Sequence, residues 1–263
     1  MSRLSEHLES INNNYEKALS VFLTSGFPDK NKFVDLAVAV LDNGADLMEL
    51  GIPFSDPLAD GPVIQQSSHT ALNNGINTKT VLDYAEKIKT KSNKPLILMG
   101  YANPILNYGI ENFLKDAGNA GADGLIVPDI PVEEFDFFFD NKQNGLDIIL
   151  LTTPTSSEQR IKTIDEHSSG FVYCVSVTGT TGMRKSFNEE TIYSLKRTYS
   201  LIKKNKMLIG FGVSSKENIK EISSYCDGVI VGSAVIKRLL TEESPNFKDT
   251  LKFIRELKSA CKN

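Results

Sequence analysis

The sequence predicts an α/β fold, a single-domain (β/α)8 barrel with an N-terminal helix and extra short helices near the active-site face. Three observations lead there. Short apolar runs recur eight times, continuous rather than alternating, as strands of a parallel sheet covered on both faces should read. A segment of helical pattern follows each run. The first turn, TSGFPDKNK (24–32), lacks the GxGxxG fingerprint that an open dinucleotide-binding sheet would carry there.

In chain order, MSRLSEHLESINNNYEKAL alternates polar and apolar residues without a continuous apolar stretch, which suits a leading helix and not a signal peptide. SVFLTSG (20–26) is the first strand, and NKFVDLAVAVLDNG (31–44) follows with Phe33, Leu36, Ala37, Val40 and Leu41 on one helical face. DLMELGI (46–52) is the second. Roughly forty residues separate its Glu49 from the third strand, KPLILMGY (94–101), the longest such interval. It holds a loop, an extra helix PVIQQSSHTALNNG (62–75) and the expected helix over 78–91. DGLIVPDI (123–130) precedes PVEEFDFFFDNKQ (131–143), whose Pro131 and two glutamates compose a helix first turn and whose Phe135, Phe138 and Phe139 form an apolar stripe for the core. DIILLTTP (147–154) leads to a serine-capped helix, SSEQRIKTIDEH (156–167). FVYCVSVTG (171–179) precedes NEETIYSLKRTYSLIKKN (188–205), acids first and lysines last as the helix dipole favours. KMLIGFGV (206–213) and DGVIVGSA (227–234) complete the strands, and an amphipathic helix, FKDTLKFIRELKSACK, packs outside the barrel.

An internal repeat supports this order. DNGADLMELG (42–51), NAGADGLIVPD (119–129) and YCDGVIVGS (225–233) share a small-residue turn, an Asp and a strand. With no Pro/Gly/Ser-rich linker or charge block, residues 1–263 read as one domain.

Composition excludes several classes. A net charge of −4, from 29 basic and 33 acidic residues, and the absence of a basic stripe argue against nucleic acid. No stretch approaches the ~18 consecutive apolar residues of a membrane span. Cys174, Cys226 and Cys261 are odd in number and far apart, so disulfides are not expected and a cytoplasmic location fits. His7, His69 and His167 lack metal-ligand spacing, and no metal is predicted.

Two polar constellations fall at the C-terminal strand ends, where barrels of this type carry their active sites. In MELGIPFSDPLADGPVIQ (48–65), Glu49 ends a greasy strand, and Asp56 and Asp60 follow in a proline-stiffened loop. Glu49 alone reads equally well as a structural carboxylate, and Asp56 and Asp60 alone as turn residues beside Pro57 and Gly61. Together they suggest an acid of raised pKa at an apolar mouth, with a second acid ionised in a wetter loop. Later, VTGTTG (177–182), FGVSS (211–215) and VGSA (231–234) bring glycines and hydroxyls to three successive strand ends. Ser233 opens a short helix there, an arrangement suited to a phosphate.

These segments resemble one family. MELGIPFSDPLADGPVIQ is similar to the signature of the tryptophan synthase alpha chain, and FLTSGFPD (22–29), YANP (101–104), GLIVPDIPVEE (124–134), VTGTTG, IGFGVS (209–214) and DGVIVGSA agree in order over nearly the whole chain. The resemblance implies retro-aldol cleavage of indole-3-glycerol phosphate to indole and glyceraldehyde 3-phosphate, with no cofactor in this subunit. Glu49 would be the acid/base, and Asp60 would accept from the indole N–H. Phe22, Ile64, Leu98, Tyr101, Leu125, Val127, Tyr173 and Phe211 would line the ring site. Gly182, Gly212, Gly232 and Ser233 would hold the phosphate.

The resemblance also implies a pyridoxal-phosphate beta chain as partner, in a heterotetramer of two alpha and two beta chains. Asp56 and Pro57 would lie at that contact, and Thr181 would reach Asp60 on loop closure. The chain departs from the commoner family loop at Gly179-Thr180-Thr181-Gly182 and has Val177 where some members carry arginine. Two alternatives fit these residues less well. An indole-glycerol-phosphate synthase would want a lysine acid at a strand end, whereas Lys94 and Lys206 lie at strand starts. A silent alpha-like chain that only activates a beta partner would be marked by a lost acid, and both acids are present.

Overall fold

The computed structural model describes residues 1–139, 145–176, 187–210, 212–244 and 246–262. Among these, nine parallel strands form one sheet: β1 (Ala18–Thr24), β2 (Leu47–Gly51), β3 (Leu96–Met99), β4 (Gly124–Ile126), β5 (Asp147–Ile149), β6 (Leu151–Thr152), β7 (Phe171–Val175), β8 (Lys206–Gly210) and β9 (Gly228–Val231), in the order β5-β4-β3-β2-β1-β9-β8-β7-β6. The two ends of that order, β5 and β6, are successive pieces of one run separated by Leu150. The first pairs with β4 and the second with β7, and Tyr173 N–H donates to the Leu150 carbonyl at 3.0 Å. The sheet is therefore closed. Eight sequence runs become nine strands because closing a barrel staggers the register, so one strand meets its two neighbours at different residues.

Twelve α-helices accompany the strands among the described residues. Those that matter for the site are α1 (Arg3–Asn13), α2 (Phe33–Asp42), α3 (Pro62–Asn73), α4 (Thr78–Lys89), α5 (Ala102–Tyr108), α6 (Ile110–Asn119), α7 (Phe135–Phe139), α8 (Glu158–His167), α9 (Glu189–Leu201), α10 (Lys216–Ile222), α11 (Ser233–Thr241) and α12 (Lys248–Ala260). The predicted segment over 131–143 is a 3-10 turn, Val132–Glu134, continued by α7. Phe138 and Phe139 are buried, Phe135 is half-buried, and Pro131 sits one residue outside the first turn. Residues 140–143 of that segment lie outside the described residues.

Alternation along each strand builds two cores. One side chain in two faces the helices: Leu19, Val21 and Leu23 of β1, Met48 and Leu50 of β2, Val229 and Val231 of β9, against Leu36, Val40 and Leu41 of α2. Each such leucine stabilises the fold by about 1.5–3 kcal/mol relative to exposure. The alternate set, Ala18, Leu47, Ile97, Ile126, Ile149, Phe171, Leu208 and Ile230, fills the barrel, and Leu4 and Leu8 of α1 close its lower end. That is the use of the leading helix: its apolar pair covers what would otherwise be an open floor.

The repeated Asp has a physical function. Asp46 Oδ2 accepts from Leu19 N–H at 2.8 Å, Asp123 Oδ2 from Leu96 N–H at 2.8 Å, and Asp227 Oδ2 from Met207 N–H at 2.9 Å. Each carboxylate accepts from a backbone N–H in the first two residues of the adjacent strand, where a buried donor needs a partner. Cations meet two of them: Lys258 lies 2.9 Å from Asp46, and Arg3 and Lys89 lie 2.7 and 3.0 Å from Asp123. Gly44 and Gly121, which precede the first two of these acids, have positive φ of 125° and 82° and turn the chain from helix into strand.

Candidate active site

Glu49 is the central residue of β2 and shares its parity with Leu47, so it points into the barrel while Met48 and Leu50 point out. It is fully buried. Ser20 Oγ donates to Oε1 at 2.8 Å, and Oε2 has no hydrogen-bond partner among the described residues. Burial disfavours the charged form and raises the carboxyl to about 7, against the pull of the Ser20 hydrogen bond. A carboxyl titrating there can both give and take a proton near neutrality.

Tyr173 enters from β7 and is also fully buried. Desolvation, reinforced by Glu49 and Asp60, holds its phenol well above the ordinary value, so it stays neutral. Its place depends on Gly210 across the ladder: a Cβ there would overlap the Tyr173 hydroxyl oxygen and Cζ. Gly210→Ala should therefore drive the ring from its position, destabilise the fold by about 1–3 kcal/mol and impair the site. Thermal unfolding and steady-state kinetics read the two effects, and an unchanged protein on both would show that the ring moves aside freely.

Asp60 is positioned by its loop. Asp60 N–H donates to the Pro57 carbonyl at 3.0 Å, Tyr101 Oη accepts from Ala59 N–H at 3.1 Å, and the Phe54 and Tyr101 rings pack with centroids 5.5 Å apart. Gly61 and Pro62 then start α3, where proline suits the first helical position because its missing N–H would have no partner. The Asp60 carboxyl is half-buried and hydrogen-bonded by Tyr101. Burial raises it to about 6, the hydrogen bond opposing. The wetter environment expected for this acid is thus not found: both carboxyls are pushed up by burial, Glu49 further. At neutral pH Asp60 remains the more ionised of the two.

Glu49, Asp60, Phe22, Ile64, Met99, Tyr173, Gly212, Val213, Ile230, Gly232 and Ser233 line a common cavity, mostly apolar with a few placed polar groups, as small-molecule sites are. Acids and aromatics lie together at this cavity with Gly212, Gly232 and Ser233. Ser233 is the first residue of α11, and the leading N–H groups of a helix lack intrahelical acceptors and favour an anion.

Of the residues expected from sequence, Phe22, Ile64, Tyr173, Gly212, Gly232 and Ser233 come together with Glu49 and Asp60. Tyr101 holds Asp60 and its loop from behind. Leu98 and Leu125 are corrected, because their parity turns them outward into the helix-facing core, and Val127, two residues beyond Leu125, packs there too. Their inward neighbours are Met99, which lines the cavity, and Ile126, which fills the barrel. Sequence reading missed Met99, Val213 and Ile230. For Met99 the sequence carries no local signal: only the pairing of Ile97 with Glu49 sets the face, and two residues on is the same face. Asp56 is exposed and Pro57 buried in the loop tip, beside Leu58 at 91% exposure. Thr181, Gly182 and Phe211 lie outside the described residues, as does the VTGTTG loop.

Other chemistries find little support in these side chains. Cys174, Cys226 and Cys261 are buried and free, and burial raises each thiol to about 12, so none is an activated nucleophile. Among the described residues no group of His, Cys, Asp and Glu could hold a metal, and no helix is long and apolar enough to cross a membrane.

Comparison with known proteins agrees with this geometry. Residues 8–262 match the family profile described as tryptophan synthase alpha chain. Relatives of that name include those of Thermoanaerobacter sp., 42% identical over 98% of this chain and 99% of the relative, and of Petrotoga mobilis, 42% identical over 100% and 98%. Among solved structures, Mycobacterium tuberculosis tryptophan synthase superposes with a TM-score of 0.91 at 32% identity, covering 100% of this chain and 99% of that one. The tryptophan synthase alpha chain of Legionella pneumophila superposes with a TM-score of 0.90 at 32% identity, covering 99% and 97%. The chain belongs to the tryptophan synthase alpha chain family.

Proposed function

We propose that this chain, as a single barrel domain, cleaves indole-3-glycerol phosphate to indole and glyceraldehyde 3-phosphate with Glu49 as acid and base and Asp60 as the counter-charge. The observation that carries the reading is Glu49 itself: a buried carboxyl raised to about 7, one oxygen anchored and the other without a partner among the described residues, at a cavity that Asp60 and the start of α11 also line.

Glu49 in its acid form gives a proton to indole C3. The ring becomes the indolenine tautomer, whose positive charge and N–H are met by the Asp60 carboxylate. Glu49, now a carboxylate, takes the proton of the side-chain hydroxyl on the carbon attached to C3. The carbon–carbon bond breaks, its electron pair restores the aromatic ring, and the hydroxyl carbon becomes the aldehyde of glyceraldehyde 3-phosphate. Glu49 ends protonated as it began, so protons balance without a cofactor in this chain. Phe22, Ile64 and Met99 offer the flat ring an apolar bed, and Gly212, Gly232 and Ser233 offer N–H groups to the phosphate.

The released indole is uncharged and apolar, suited to direct transfer to a pyridoxal-phosphate beta chain in a heterotetramer of two alpha and two beta chains. The exposed Leu58, beside Asp56 and Pro57, supports placing that contact at the loop carrying Asp60. A cytoplasmic location accords with the three free cysteines.

The test is indole release from indole-3-glycerol phosphate by the purified chain, with and without a tryptophan synthase beta chain, across pH. Slow release alone and faster release with the partner are expected. Activity should fall above about pH 7 as Glu49 loses the proton it must donate, and below about pH 6 as Asp60 is neutralised. No release in either setting from a folded chain would leave a silent subunit that only activates its partner.

A further inference from the structure

Ser20 is the third residue of β1 and lies one layer below the cavity. Its Cα partners are Leu47 on β2 and Ile230 on β9, and the side chains of its own parity nearby are Ala18 and Phe22. A hydroxyl with no exposure in such company is unfavourable unless it is hydrogen-bonded. Its bond is to Glu49 Oε1 at 2.8 Å. The register shows how it is made. Glu49 pairs with Phe22, not with Ser20, so its side chain must reach back along the sheet to the serine two residues below.

We infer that Ser20 is a positioning residue for the reaction: by donating to Oε1 it locks the Glu49 carboxyl in one orientation, leaves Oε2 for the substrate and sets the balance between acid and base forms. The inference rests on the function proposed above. Two consequences separate it from simple packing. A carboxyl hydrogen-bonded at one oxygen presents the other at a fixed place, so proton transfer to C3 and from the hydroxyl share one geometry. A donor to the charged form also favours that form, holding the group lower than burial alone would. The titratable groups that face Glu49 are Tyr173 from β7 and Asp60 from the loop before α3. The strands β1, β3 and β9 present Phe22, Ile97, Met99 and Ile230 alongside Ser20, none of them charged.

The experiment compares Ser20→Ala with Ser20→Thr, which keeps the hydroxyl. For Ser20→Ala the alkaline limb of kcat/KM should move up by about one pH unit, with kcat lowered about tenfold and KM little changed. Ser20→Thr should restore both the limb and kcat toward wild type. An alkaline limb that stays near 7 in folded Ser20→Ala would overturn the inference, as would equal behaviour of the two variants. An infrared titration of the Glu49 carboxyl, taken as the difference between Glu49 and Glu49→Gln proteins in each Ser20 background, needs no turnover. If wild type releases no indole, the proposed function fails by itself. If indole is released but the carboxyl titrates identically with and without the serine hydroxyl, only the role of Ser20 fails.

Discussion

Glu49→Gln is expected to lower indole release by roughly 10²–10⁴-fold, the range that follows loss of a general acid–base group. Glutamine matches the shape, and its amide can still accept from Ser20, so the barrel and the cavity should persist. What disappears is the exchangeable proton. The fall should appear in kcat with little change in KM, because binding the ring and phosphate does not use this proton.

The same variant should be more stable than wild type at alkaline pH. The folded carboxyl titrates near 7 and its ordinary value is 4.5. Below about pH 4.5 the carboxyl is protonated in both folded and unfolded chains and contributes no difference. As pH rises toward 7 the unfolded chain ionises first, and wild-type stability falls. Above 7 the full penalty is present, on the order of 3 kcal/mol. Glutamine never ionises, so the gain should be seen in the unfolding midpoint at pH 8 and vanish at pH 4. An equal offset at both pH values would show that Glu49 does not titrate high.

Asp60→Asn should reduce turnover by about 10²–10³-fold, as removal of one preorganised charge from a developing ion does. The ground-state indole is neutral and the indolenine is cationic, so the carboxylate matters more at the transition state than on binding, and kcat should suffer more than KM. Asparagine keeps an oxygen for Tyr101 and for the loop contacts made through backbone atoms at Ala59 and Asp60. A kcat effect below tenfold would mean that the charge of the indolenine is met elsewhere.

Much of this architecture is written locally. The recurrent apolar runs, the helical faces and the Gly-Asp turns each depend on neighbours a few residues away, and they specify a parallel sheet covered on both sides. The acid within β2 and the stiff loop after that strand are equally visible, since a carboxylate in a greasy run and prolines beside aspartates stand out by chemistry alone.

Other features required the chain to close. In LILM all four residues are apolar, so alternation leaves no polar mark, and nothing local says that Met99 faces the cavity while Leu98 faces the helices. Ser20 looks like any strand serine until closure places Glu49 above it. The raised values of both acids likewise come from walls supplied by distant strands. The sequence by itself determined the strand-and-helix order and the chemical groups available, because periodicity and residue chemistry are local. Only the tertiary structure decided which face each strand residue takes, how deeply Glu49 and Asp60 are buried, and which hydroxyl holds Glu49, because parity, desolvation and contact belong to the closed barrel.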